Sequence, residues 1–308
     1  MKRWRGKAEW LLFTAIVVIA VIGFLLLQNV NIDVLQPKGV VASQQRNLLF
    51  IALAMSALVV IPVFIMLGIF AYKYRADREA KDYQPEWKEN SKLEAVWWGI
   101  PMTIIATLAV ITWYTSHSLD PYKPIVAKHS AVNVQVIALQ WKWLFLYPDD
   151  HIATVNYLKV PKGVPVHFSL TADAPMSAFW IPALGSQIYN MNGMSSQLNL
   201  LATSEGVYKG YTTNINGKGY ADMTFDVDTV SHAHYHEWLA LTNTRNLPQM
   251  NMAAFTALRK PSVEKSVKTF TLSDDNLYNQ VLEKYMQPSS MRDMKQYTGV
   301  NNEMDGHH

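Results

Sequence analysis

The stretch SKLEAVWWGIPMTIIATLAVITWY, residues 91–114, decides the architecture of this chain. It is apolar over enough of its length to span a bilayer, which takes about 20 residues. The pairs Trp97–Trp98 and Trp113–Tyr114 stand where aromatic side chains mark the two membrane interfaces. One acid, Glu94, lies in the first turn. The stretch therefore predicts a membrane helix with a carboxylate near its N-terminal end. This carboxylate acts either as a helix cap or as an entry point for ions.

Two more apolar runs precede this helix. Residues 10–27 follow a basic N-terminus and have the layout of a signal peptide, but the run is long and residues 28–31 are a poor cleavage site. We expect residues 1–28 to be either a cleaved signal peptide or a retained signal-anchor helix. Residues 48–72 carry no charge and are long enough to span the membrane.

Basic residues orient these spans. The N-terminus and the loop 73–92 are rich in lysine and arginine, so both are expected in the cytoplasm. Residues 29–47 then form an external linker, residues 48–115 form a two-helix transmembrane hairpin, and everything after His117 lies outside. We therefore predict a multi-pass membrane protein with an exported C-terminal domain.

In the exported part of the chain, apolar residues recur at every second position. Apolar and polar residues alternate in residues 132–136, 164–170 and 223–227, which is typical of half-buried strands. Short strands at this spacing over roughly a hundred residues indicate a β-sandwich or small barrel. The expected fold class is membrane α plus all-β, with residues 116–228 as the β-domain.

The pattern turns helical after this domain. Candidate helices cover residues 232–241, 252–258 and 273–286, and Ser273 with the two aspartates after it is the expected cap of the last one. The end of the chain is polar. We predict that residues 229–308 form a helical extension followed by a flexible tail.

Composition excludes several classes of protein. The net charge is +3 and there is no long basic block, which argues against nucleic-acid binding. The chain has no cysteine. Disulfides, thiolate-held zinc or copper, iron–sulfur clusters and lipid attachment at a cysteine are therefore all excluded, and the protein is not expected to be a lipoprotein.

Several segments in order resemble subunit II of the haem–copper oxidases. Glu94–Trp97 with Pro101 resembles the second membrane helix of that subunit, and Gln140–Trp143 resembles the aromatic segment that follows it. The likeness is nearest to the cytochrome bo-type ubiquinol oxidases and implies a cupredoxin-like β-domain. Further shared segments are Pro37–Gly39, Gln45–Arg46, Lys73–Arg75, Ile152–Asn156, Pro182–Tyr189, Met191–Met194 and Met252–Phe255.

The resemblance also bears on copper. Cytochrome c oxidases of this family hold a two-copper centre with two cysteines, two histidines, a methionine and a backbone carbonyl, because thiolates bridge the two metals. When this chain is placed on that pattern, Met223 is the one position that still holds the ligand residue of the family. A single thioether does not hold two coppers. The resemblance thus implies a domain without copper, as in the quinol-oxidising branch. The degenerate positions are Ser177, Thr212, Asn214, Asn216, Tyr220 and Met223.

Glu94 has two compatible interpretations. Ser91-Lys-Leu-Glu94 is a capping box directly before an apolar run, and a carboxylate there suits the helix dipole. The resemblance implies a second role, because a glutamate at this position stands at the entrance of the proton path into subunit I. A carboxylate suits that task since it exchanges protons at modest cost.

Other notable side chains favour structural roles. Trp141 and Trp143 are expected to pack at the base of the β-domain, against subunit I or the lipid surface. His232, His234 and His236 lie in a predicted helix, where their spacings do not bring all three together, so we expect surface histidines and no metal site. The Met/His-rich tail, with Met286, Met291, Met294, Met304, His307 and His308, is expected to be flexible, with weak copper handling as the alternative.

The sequence with its resemblance predicts subunit II of a proton-pumping respiratory quinol oxidase, in which quinol oxidation is coupled to reduction of O2 to water. Haems and the catalytic copper are expected in subunit I and ubiquinol as substrate of the complex, while this chain carries no redox centre and is not catalytic alone. Expected partners are subunit I, small membrane subunits and lipid, without nucleic acid or cytochrome c. The alternatives are a membrane-tethered, copper-less cupredoxin scaffold or binding protein and a cytochrome c oxidase subunit II.

Overall fold

The computed structural model describes residues 32–74 and 90–286, and two long helices come first in this part of the chain. Helix α1 is Val40–Lys73, with 34 residues and a mean hydropathy of 2.9. Helix α2 is Ser91–Ser118, with 28 residues and a mean hydropathy of 1.8. At about 1.5 Å per residue both exceed the roughly 30 Å of a bilayer core. Both are therefore long and apolar enough to cross a membrane.

The helices are longer than the sequence predicted. Helix α1 begins at Val40, inside the predicted linker 29–47, and α2 continues past residue 115. For α1 the reason is tertiary contact, because its first turns pack on the β-domain and bury Ala42. The predicted N-terminal signal or anchor, most of the loop 73–92 and the tail from residue 287 lie outside the described residues.

The exported part is built from two β-sheets. The strands are β1 (Val132–Leu139), β2 (Lys142–Tyr147), β3 (Ile152–Val155), β4 (Tyr157–Pro161), β5 (Pro165–Ala172), β6 (Ser177–Trp180), β7 (Ile188–Asn190), β8 (Ser196–Leu201), β9 (Gly206–Thr212), β10 (Thr224–Val230), β11 (Gln249–Met250) and β12 (Lys268–Leu272). A seven-stranded sheet has the order β11-β12-β3-β2-β1-β5-β8, and a five-stranded sheet has the order β4-β10-β9-β6-β7. Neighbouring strands are mostly antiparallel, and the parallel pairs are β1–β5, β10–β4 and β11–β12.

Alternation along the strands builds the core between the sheets. In β10 the apolar residues Phe225 and Val227 are buried while their polar neighbours are partly exposed. Strand β2 is buried along its whole length, because the sandwich core covers one face and the C-terminal extension covers the other. The predicted sandwich of the cupredoxin type is therefore confirmed, with the predicted strands at β1, β5 and β10.

The C-terminal extension corrects the sequence prediction. Helices α3 (His232–Asn243) and α4 (Met252–Leu258) are present, but β11 and β12 join the seven-stranded sheet. Strand β12 pairs antiparallel with β3, placing Phe270 opposite Ala153. The extension is thus part of the sandwich and not a purely helical appendage, because its alternating strand completes the sheet edge.

The last helix, α5, is Leu277–Glu283 and is shorter than the predicted 273–286. The expected cap at Ser273 does not form, because the backbone N–H and hydroxyl of Ser273 donate to Met250 O. Asp274 closes a turn by accepting from the backbone N–H of Asn276. Pairing with β11 therefore delays the start of the helix.

The segment Pro37–Gly39 joins the hairpin to the β-domain. The Lys38 N–H donates to Ala183 O at 2.7 Å, and the Lys38 carbonyl accepts from the Thr203 N–H at 2.7 Å. Gly39 lies so close to Leu184 that a Cβ atom would stand 2.4 Å from the Leu184 carbonyl oxygen. The close approach of two backbones explains why glycine is needed here.

We expect Gly39→Ala to loosen this junction. The added methyl meets backbone atoms that have no rotamer to change, so the cost is about 1–3 kcal/mol. Thermal unfolding and limited proteolysis of the purified chain in detergent measure the effect. Gly68→Ala is the matched control, because nothing lies within 4 Å of that Cβ position. Equal melting temperatures for the Gly39 variant and wild type would contradict the assignment.

Candidate functional site

The first turn of α2 places Glu94 at the N-terminal end of this helix. The N-cap is Asn90, whose side-chain oxygen accepts from the N–H groups of Lys92 and Leu93, each at 3.2 Å. The capping box predicted for Ser91 and Glu94 does not form, because the helix begins one residue earlier than that motif requires. The Glu94 side chain is exposed and makes no hydrogen bond or ion pair with the described residues, while its backbone N–H donates to Asn90 O at 3.0 Å. Its carboxylate is therefore available for another task.

A groove of about 620 Å³ lies between α1 and α2 beside Glu94. Pro62 of α1 and Pro101 of α2 face it from the two sides, and Trp97 lines it one turn after Glu94. Its other lining residues are aliphatic or methionine, so Glu94 is the one charged residue among the described residues that line it. The hairpin thus presents an apolar surface with an acid at one end.

The degenerate copper positions gather at one end of the five-stranded sheet. Ser177 begins β6, Thr212 ends β9 and Met223 directly precedes β10. The Asn216 amide donates to the Met223 sulfur at 3.4 Å, and the Thr212 hydroxyl accepts from the Ala178 N–H at 3.4 Å. Neutral hydrogen bonds thus hold Asn216, Met223 and Thr212, whereas the buried Ser177 hydroxyl has no hydrogen-bond partner among the described residues.

The loop that carries Asn214 and Tyr220, both partly buried, folds over Trp141. The indole N–H donates to the Asn216 carbonyl at 3.4 Å, and a Cβ atom on Gly219 would stand 2.4 Å from Trp141 Cγ. Trp141 itself has a φ of 67° in the two-residue turn between β1 and β2. The tryptophan therefore supports the loop from below, as a packing residue.

Trp143 occupies a different environment from the one predicted. It is fully buried inside the sandwich, with ring centroids 5.3 Å from Phe179 and 5.6 Å from Phe225. It therefore contacts neither a membrane partner nor lipid. Its neighbour Lys142 points the other way and donates to the Lys260 carbonyl at 3.0 Å, and burial lowers the pKa of this lysine. Alternation along β2 separates the two side chains.

The donor set at the degenerate positions does not fit a two-copper centre. It comprises hydroxyls, amides and one thioether, whereas bridging two coppers requires thiolates. Across residues 32–74 and 90–286 no group of three or more histidine, aspartate or glutamate side chains is placed to hold a metal ion. The arrangement packs and positions a loop, and it offers no route for electrons through copper.

The three predicted surface histidines lie on α3. His232 and His236 approach each other with their Nε2 atoms 3.4 Å apart, and the ring of His129 stacks on His232 at 5.2 Å. His234 is two residues from each, so it projects from another side of the helix. As expected, the three histidines do not form one cluster. Two of them, His232 and His236, do lie side by side.

Sequence reasoning missed a buried carboxylate that holds the extension. The Asp173 side chain is fully buried and pairs with Arg259 Nε at 3.1 Å and with Lys284 Nζ at 2.7 Å. The Tyr285 hydroxyl also donates to it, and burial together with this carboxylate raises the pKa of the tyrosine above its usual range. No local sequence pattern predicts this cluster, because Asp173 is far in sequence from each of its partners.

Two family models match the exported part. Residues 150–230 match the periplasmic domain of cytochrome c oxidase subunit II, and residues 248–289 match the COX aromatic-rich motif. The crystal structure of the periplasmic domain of cytochrome oxidase subunit II from Bradyrhizobium japonicum covers 38% of this chain and 96% of its own, with a TM-score of 0.36 and 20% identity. The family models and the sandwich together define a subunit II with a cupredoxin-like domain.

Two relatives narrow this class. The chain is 40% identical to cytochrome bo(3) ubiquinol oxidase subunit 2 of Pseudomonas putida, over 86% of this chain and 84% of the relative. It is 40% identical to ubiquinol oxidase subunit 2 of Acetobacter aceti, over 85% of both. The chain therefore belongs to the family of subunit 2 of the cytochrome bo-type ubiquinol oxidases, and the resemblance seen in the sequence is confirmed.

Proposed function

We propose that this chain is subunit II of a proton-pumping quinol oxidase, held in the bacterial inner membrane by α1 and α2 with its β-domain on the periplasmic side. The observation that carries this proposal is the intact cupredoxin-like domain whose copper positions hold hydroxyls and amides. Such a domain takes no electrons from cytochrome c, so electrons enter the complex as quinol. The relatives, named as ubiquinol oxidase subunits, support the same reading.

This chain would support subunit I and take part in proton uptake. Both membrane helices present apolar side chains outward, including Phe64, Trp98 and Ile105, and the groove between them is apolar. These surfaces fit the many-helix subunit I, which would carry the haems and the catalytic copper. This chain would be non-catalytic by itself, and small membrane subunits would complete the complex.

Glu94 is the residue that we propose takes part in proton transfer. Its carboxylate is exposed, has no described partner and lies at the end of the hairpin that carries Lys73 and Lys92. Positive-inside logic places that end at the cytoplasmic surface. Asn90 already caps the helix, which leaves the acid free to collect protons and pass them toward subunit I.

Affinity purification through this chain tests the proposal. We expect a large, many-helix subunit to co-purify, and the preparation to show a reduced-minus-oxidised haem spectrum. The chain separated from that partner should show no visible redox spectrum of its own. Isolation of this chain alone, without haem, from mildly solubilised membranes would favour the tethered scaffold and contradict the proposal.

A further inference from the structure

We infer that His232 and His236 form an exposed two-histidine site for a zinc ion on helix α3. The two residues are four apart on a helix of 12 residues, so their side chains share one face. Their Nε2 atoms lie 3.4 Å apart, and both side chains are exposed. Neither residue takes part in the degenerate copper positions or in the membrane groove.

The separation of the two nitrogens fits tetrahedral zinc. Zinc binds imidazole nitrogen at about 2.0–2.1 Å, and two ligands at a tetrahedral angle are then about 3.4 Å apart. For a hydrogen bond the same separation lies at the long end, since N–H donors normally approach to about 2.7–3.2 Å. Two histidines at positions i and i+4 of a helix are also the pair that zinc metalloproteases use.

Neighbouring groups hold the pair in place. The His129 ring stacks on His232 with an interplanar angle of 29°, which restricts rotation of that imidazole. Tyr235 lies between the two ligands in sequence, is buried and donates to Asp150 at 3.4 Å, so it fixes the helix on the sandwich. The ligand rings therefore start close to the geometry that binding needs, which lowers its entropic cost.

Local charge also favours a cation. His232 is the first residue of α3, where the helix dipole alone would oppose positive charge. Asp150 offsets this, because it accepts from the Tyr235 hydroxyl at 3.4 Å and so places a carboxylate beside this turn of the helix. No third histidine, aspartate or glutamate of the described residues completes the site, so water fills the remaining positions. The site would be exchangeable, unlike a structural zinc.

Calorimetric titration of the purified full-length chain with zinc chloride tests this inference. All proteins carry H307A and H308A, so that histidines at the chain end do not contribute. We expect H232A and H236A each to weaken zinc binding by at least about tenfold, because a single imidazole is a poor zinc ligand set. H234A is the matched control on the same helix and should bind zinc as the parent does.

A spectroscopic readout separates ligation from a change in fold. Cobalt(II) bound at the parent site should give tetrahedral d–d absorption, which H232A and H236A lose while their circular dichroism stays unchanged. Equal zinc affinity in the parent, H232A and H236A would overturn the inference. A loss in H234A as large as in H232A would overturn it too, because it would place the metal elsewhere.

Discussion

Replacing Glu94 with alanine is expected to slow oxygen consumption and proton pumping by the oxidase at least about tenfold, a modest effect for a group that transfers protons. The reason is that the groove offers no other acid among its described lining residues to collect protons at that end. Assembly should be unaffected, because the α2 N-terminus is capped by Asn90 and not by Glu94. Oxygen uptake and proton release by the purified complex measure both effects.

Two further variants separate the proton role from a helix-capping role. Glu94→Asp keeps an acid and should retain much of the turnover. Asn90→Ala removes the observed cap and should cost about 1 kcal/mol of helix stability while leaving turnover near normal. If instead the Asn90 variant slowed turnover as much as the Glu94→Ala variant, or the Glu94→Ala complex kept normal oxygen uptake, Glu94 would be no more than a helix-end residue.

Asp173→Asn should release the C-terminal extension from the sandwich. The change leaves Arg259 and Lys284 without the buried carboxylate that both of them contact. Breaking a fully buried pair costs about 3–5 kcal/mol, and we expect about 2–4 kcal/mol here because the two cations are more than a third exposed. The melting temperature of the exported domain should fall by roughly 5–12 °C.

Limited proteolysis shows where that stability is lost. In the Asp173 variant, cleavage should begin in residues 248–286 before the rest of the domain is cut. Glu205→Gln is the control, because it removes the same charge from an exposed pair with Lys162 at 3.7 Å and should change stability by less than about 1 kcal/mol. A wild-type melting temperature for Asp173→Asn would show that the cluster does not hold the extension.

Local signals in the sequence predicted the parts of the fold that local physics decides. The apolar run of α2, its interfacial tryptophans and the alternation in β10 each need only neighbouring residues to be recognised. The cap of α2 was misplaced because asparagine and serine cap almost equally well, and Asn90 directly precedes Ser91. The sequence alone could not decide whether Asn90 or Ser91 is the N-cap, because that choice depends on the backbone conformation at the start of the helix.

Long-range pairing explains what the sequence did not reveal. Strand β12 is a strand because Phe270 lies opposite Ala153, more than a hundred residues away in the chain. The same holds for Asp173, whose partners come from the ends of α4 and α5. The degenerate copper positions were placed through the family resemblance, and the structure puts Ser177, Thr212 and Met223 at one end of a sheet.

The choice of electron donor tests the central claim most directly. Oxygen uptake by the complex purified through this chain is measured with ubiquinol and, separately, with reduced cytochrome c. The copper-less domain predicts rapid uptake with ubiquinol and none above background with cytochrome c. Rapid uptake with cytochrome c would contradict the claim, because it would require an electron route through a domain that holds amides and hydroxyls where copper ligands would stand.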